Sequence, residues 1–153
     1  MRSRGERGSV LLLFPAALLI MVALSAMAVD SAVAFLAQRE LTNATAAAAN
    51  DAATEAISDQ SFYRGDRIEL SPSAVEAVAV DRVRALIDEN RHHDLTVQAD
   101  AVPPAGPGCA WTVRVVATSR VDEVFGKAMP GSAGSVAVRA RSTAGPKQSD
   151  TQC

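Results

Sequence analysis

The chain has 153 residues, a formal net charge of −2, 48% hydrophobic residues and only 4% aromatic ones. With no basic patch beyond its first residues it is a poor ligand for nucleic acid, and its two cysteines, Cys109 and Cys153, form no zinc-binding pattern. About 120 residues remain once the N-terminal leader and apolar run are set aside, enough for one small domain whose core must be Val, Leu and Ala.

Residues 1–7 form a basic leader, with Arg2, Arg4 and Arg7 against Glu6 alone. Residues 8–29, GSVLLLFPAALLIMVALSAMAV, carry no charge. As a helix of roughly 22 residues rising ~1.5 Å each, this run measures about 33 Å. A bilayer's hydrocarbon core is about 30 Å thick. Leu, Ile, Phe and Val each favour insertion by about 0.3–0.6 kcal/mol, which together outweighs Pro15 and a few small polar residues. The positive-inside rule keeps the arginines cytoplasmic and places everything after Asp30 outside. Pro15 removes a hydrogen bond to the Leu11 carbonyl and predicts a kink there.

Two fates of the segment stay open. One is a permanent anchor. The other is a cleaved secretory signal, because Ala26-Met27-Ala28 has the small-x-small form of a signal-peptidase site, and cleavage after Ala28 would leave Val29 first. The run before Ala26 is long for a signal-peptide apolar region of about 7–15 residues, which favours the anchor.

Beyond Asp30 the helical pattern continues. Val33, Leu36 (or Ala37), Leu41, Ala44 and Ala48 recur at near-helical spacing. Alanines crowd residues 44–56, and neither Gly nor Pro interrupts the chain between Pro15 and Gly65. One helix is expected from about residue 9 to about residue 58, with 30–58 as its extracytoplasmic extension. Its alanine face would suit close approach of another helix or of the chain's own domain.

Glu6-Arg7-Gly8, an apolar run with a proline, Ala28-Val29-Asp30, then Arg39-Glu40-Leu41-Thr42-Asn43-Ala44 before an alanine run resemble the TadE/TadG-like proteins of the tight-adherence (Flp) pilus and secretion machinery. Thr42 stands where that pattern has Gln, and Ala46 where it has Asp. The resemblance covers residues 6–56. It implies a pilin-like fold and a non-catalytic role as a minor pilin, pseudopilin or accessory component, with membrane lipid and other pilus or secretion subunits as partners through the helix. It also makes Gly8 and Ser9 the matching prepilin-peptidase junction, although Leu13 occupies the place of the glutamate found in processed members. Asp30-Ser-Ala-Val-Ala lacks the metal-binding motif of larger TadG-like members, so no metal is implied.

Residues 59–72 read as a polar linker, and 73–144 as a small α+β domain. Ser73-x-x-Glu76 has the form of a capping box after Pro72, opening a helix that should end near Asn90. Val75, Ala79, Val83, Leu86 and Ile87 line one face, with Val78 at its margin, and Arg82 at the stripe's edge should snorkel outward. Three strands follow: Leu95, Val97 and Ala99 alternate in the first, Trp111, Val113, Val115 and Ala117 in the second, Val136, Val138 and Ala140 in the third. A Pro/Gly-rich loop separates the first two, and a short helix is expected around Val124–Met129. The tail, residues 145–153, is polar. A long transmembrane helix, a second helix and a three-stranded antiparallel meander make an α+β, pilin-like layout.

Catalytic chemistry finds no foothold. His92 and His93 are adjacent and point apart on any regular backbone, so they read as a solvated turn and not as metal ligands. Nothing local activates Cys109, no glycine-rich loop carries the partners that hold phosphate, and neither cofactor nor small-molecule substrate is expected. An oxidising exterior would allow Cys109 and Cys153 to pair, closing a loop of roughly 45 residues. Asp30 is either the marker of the outer bilayer boundary or a contact for a positive group on a neighbouring subunit.

Overall fold

Helix α1 runs unbroken from Ser9 to Glu55 in the computed structural model, which describes residues 9–58, 63, 69–106, 109–128, 131 and 133–145. Its 47 residues make a rod of about 70 Å at ~1.5 Å per residue. The rod has two unlike halves. From Leu13 to Val29 the large apolar side chains stand exposed, and none of its most apolar stretch is buried. That half is long and apolar enough to cross a membrane. In the other half, Ala37, Leu41, Ala44, Ala48, Ala49, Ala52 and Ala53 are buried. Counting back from Leu41 in steps of four selects Ala37 and Val33, so Leu36 points away, 56% exposed.

Helix α2 spans Pro72–Leu86. The expected capping box does not form. Ser71, with extended backbone, takes the cap position without a side-chain hydrogen bond to the helix amides, its hydroxyl lying 3.3 Å from that of Ser73, and Pro72 is the first helical residue. Proline's fixed φ and missing N–H suit that position, so the helix starts earlier and Ser73 falls inside its first turn. It also ends earlier than expected. Ile87 is extended, and Asp88 folds the chain back by accepting from Asn90 through Oδ1 and from the Arg91 and His92 amides through its carbonyl. Val75, Ala79, Val83 and Ile87 are buried as predicted, whereas Leu86 is 47% exposed.

Strands β1 (His92–Val102), β2 (Thr112–Asp122) and β3 (Ser135–Ala144) form an antiparallel meander with β2 in the centre. Both helices pack on one face, α1 across β2 and β3, α2 over β1 and along α1. Val113, Val115, Ala117, Val121, Val138 and Ala140 supply the sheet's side of the core. The other face carries Thr96, Gln98, Arg114, Arg120, Arg139 and Arg141, all exposed, the usual division for an antiparallel sheet covered on one side. Among the described residues of the connection after β2, the short helix expected around Val124–Met129 is a 3-10 helix, Gly126–Ala128.

β1 begins three residues before the alternation that predicted it. Pairing shifts by one residue between His93 and Thr96, and Asp94 there has φ +52°. This bulge absorbs one residue, so His92 and Leu95 both face the helices although three positions apart. His92 is therefore buried at the head of a strand and not part of a solvated turn.

α1 is stitched to the domain by side chains as well as by packing. Gln38 donates to the Arg139 carbonyl at 2.8 Å and accepts from the Arg139 amide at 3.2 Å, occupying backbone groups of the edge strand β3. Glu40 accepts from the Asp88 amide at 3.3 Å and from Arg91 at 2.9 Å, clamping the α2–β1 turn. Arg82 does not merely snorkel, but pairs with Asp51 of α1.

Because the α1 face is alanine, backbones lie close and leave no room for larger groups. Ala48→Leu is expected to destabilise the full chain in detergent by about 1–3 kcal/mol in urea denaturation. Asn43→Leu, exposed on the same helix, should stay within about 0.5 kcal/mol of the parent.

Candidate functional site

The place where the exposed half of α1 meets the domain is built around Asp30. Its carboxylate Oδ1 accepts the backbone N–H of Val124 at 2.8 Å and of Phe125 at 3.0 Å. Those two amides sit at the start of the β2–β3 connection, where the chain has just left the sheet. One acidic oxygen at the C-terminal end of the apolar run thereby holds a loop 94 residues away in sequence.

The loop is drawn tight by its own contacts. Glu123 donates its amide to the Gly134 carbonyl at 3.0 Å, and the Ala128 amide bonds to the Phe125 carbonyl at 2.9 Å. Gly134 has φ +68°, a conformation that side-chain-bearing residues rarely adopt, and a Cβ on Gly126 would run into the Glu123 side chain. Lys127 bonds Asp122 at 2.6 Å. That hydrogen bond, reinforced by the charges of Lys127 and His93, holds the Asp122 carboxyl below the usual carboxylate range.

This folding leaves two apolar side chains outward, Val124 at 58% exposure and Phe125 at 43%. Phe125 and α1 residues Leu18, Met21, Val22, Ala26 and Val29 line a groove of about 290 Å³. Ser25, also in its wall, returns its hydroxyl to the Met21 carbonyl at 2.8 Å, so the lining offers little to water.

The predicted site residues are distributed along this helix and beyond it. Ala28 and Val29 lie exposed in mid-helix, and Asp30 is half-buried. Ser9 is the first residue of α1, while Gly8 lies outside the described residues. Cys109 is disulfide-bonded, and Cys153, the partner considered for it, lies outside the described residues. Sequence reasoning missed Val124 and Phe125 as partners of Asp30. Two adjacent large apolar residues directly after the acidic pair Asp122-Glu123 were the available signal.

It also missed a buried polar cluster. His92 Nδ1 lies 2.8 Å from Ser119 Oγ, and its Nε2, buried without a hydrogen-bond partner, lies 3.7 Å from Glu40 Oε2. The order of groups is serine, imidazole, carboxylate, but Ser119 is only 3% exposed. The nearby cavity of about 310 Å³ is lined by Arg91, His93 and Asp122, and by neither His92 nor Ser119. A nucleophile needs an approach to a carbonyl carbon, and this hydroxyl faces the core. His93 points outward, 3.8 Å from Asp122, so the two histidines diverge. Among the described residues no group of three His, Cys, Asp or Glu is placed to hold a metal ion.

No family model matches this chain, and neither a curated protein nor a solved structure is detectably similar to it.

Asp30→Ala should free the two loop amides and speed their hydrogen exchange selectively at Val124 and Phe125, while Asp30→Asn, which keeps an acceptor oxygen, should restore much of the protection. Lys127→Ala should raise the Asp122 carboxyl toward its ordinary value of about 3.9, read by carboxyl NMR titration. Since the folded value is depressed, the pair's stabilisation is present above that ordinary value and lost as pH falls through the folded one. Both side chains are about half exposed, so added salt should weaken it.

Proposed function

We propose that this chain is a non-catalytic, single-pass membrane protein, with its N-terminus in the cytoplasm and its α+β domain outside. Its role is that of a pilin-like component, a minor pilin, pseudopilin or accessory subunit, of a Tad/Flp-type pilus or secretion apparatus. The observation that carries the reading is that one continuous helix supplies both the exposed apolar half and the alanine face of the domain's core. Such a helix transmits position rigidly from bilayer to domain, which a flexible tether would not do. The TadE/TadG-like pattern over residues 6–56 coincides with that helix. Phe35 and Leu36, exposed at 65% and 56%, extend the apolar surface beyond Asp30 on the side away from the domain and suit contact with another subunit's helix.

A second reading draws on a different observation. The buried core residues all lie at or beyond Ala37. Cleavage after Ala28 would leave the whole core intact, and the product would be a secreted binding domain.

Intact mass of the protein in membrane and soluble fractions, with alkaline carbonate extraction, separates these readings. The anchored protein is expected in the carbonate-resistant pellet with its N-terminal helix retained, or shortened to Ser9 by prepilin-type processing. A soluble chain beginning at Val29 would overturn the anchor. Isolation from intact membranes without any pilus or secretion component would overturn the assembly role.

A further inference from the structure

We propose that the Val124–Phe125 loop is a second membrane contact, dipping into the outer leaflet beside α1, with a lipid acyl chain in the groove between Phe125 and the helix. The inference rests on the anchored reading above. It concerns a surface that the span alone does not require.

Position is the first argument. Asp30 marks the outer end of the uncharged run, and it is this residue that holds the Val124 and Phe125 amides. The start of the β2–β3 connection is thus pinned at the level where hydrocarbon gives way to headgroups. The groove extends from Phe125 past Val29, Ala26 and Val22 to Leu18. Those residues belong to the same wholly unburied apolar stretch that would cross the bilayer. If the span is in lipid, the groove wall is in lipid with it.

Chemistry is the second. Val124 and Phe125 are adjacent and both expose apolar surface, 58% and 43%, beside the exposed apolar half of α1. Their backbone donors are satisfied by Asp30, which is what a loop near hydrocarbon requires. Lys127, 61% exposed, lies two residues from Phe125 and holds its ammonium on Asp122 at 2.6 Å, so its stem can lie along the interface with the charge already paired. A phenylalanine on the apolar side with a lysine close by is the division of side chains found in segments that lie in the interface. With the loop seated, the domain has two contacts with the bilayer, and rotation about the α1 axis is restricted.

The test uses the full chain in phosphatidylcholine vesicles. Trp111 is the sole tryptophan, so Trp111→Phe gives a dark background into which Phe125→Trp places a reporter. Thr96→Trp, exposed on the far face of the sheet, is the control. At position 125 the emission is expected to shift to the blue and to be lost largely to lipids brominated in the upper acyl chain, with little loss to aqueous iodide. The control should show the reverse. Val124→Trp gives the same readout should Phe125→Trp disturb the turn. Quenching by iodide and not by brominated lipid, in carbonate-resistant protein, would overturn the loop's insertion while leaving the anchor intact. Shielding from both quenchers would mean that protein, such as the α1 of a second copy, fills the groove, and would also overturn the proposal. Release of the chain by carbonate would overturn the anchor and the inference with it.

Discussion

Everything in this structure depends on the continuity of one helix. A broken connection near Asp30 would let the domain swing free, whereas an unbroken hydrogen-bonded rod ties the orientation of the sheet to the orientation of the apolar half. The two halves solve opposite problems. The first presents bulky apolar side chains around its whole circumference, as a helix able to cross a membrane requires, and Leu, Ile, Met and Phe are exposed on every side. The second needs one narrow face on which a sheet and another helix can settle, and alanine at 44, 48, 49, 52 and 53 provides it without filling the space. Valines from β2 and α2 do the filling instead.

Close packing of small residues gives little apolar area per residue, at about 25 cal/mol per Å². Polar stitching compensates. Gln38 satisfies exposed backbone of β3, Glu40 gathers the α2–β1 turn, and Asp51 pairs with Arg82 of α2. Asp30 does the same for the β2–β3 loop. The polar residues of α1 at its domain-facing margins thus each hold a different part of the domain, which explains why charged residues punctuate an otherwise apolar and alanine-rich helix. The punctuation on which the TadE/TadG-like resemblance rests includes Asp30, which in this chain has architectural work within the monomer.

The buried cluster at His92 follows from a backbone irregularity. Without the bulge at Asp94 the alternation of β1 would send His92 to the arginine-bearing face. With it, the imidazole enters between α1 and the sheet, where Ser119 meets one nitrogen and Glu40 approaches the other. The arrangement resembles a catalytic relay in composition only, since burial denies it a substrate.

Much of the architecture was written in local patterns: the uncharged run of residues 8–29, the alanine spacing of α1, the i+4 stripe of α2 and the alternation of three strands. Period and composition determine these because each element must bury one face, and a face has a fixed spacing. Ends were less legible. Pro72 overrode the capping box, and Ile87 left the helix while remaining in the core. Three things were decided only in the tertiary structure. These are the choice of Ala37 over Leu36, the inward turn of His92, and the union of Asp30 with Val124 and Phe125. Each depends on a partner far away in sequence, so no local window contains the information. What the sequence by itself determined is that an apolar rod leads into a small α+β domain. What folding decided is where that domain sits on the rod, because only three-dimensional packing brings a loop amide to a carboxylate 94 residues distant.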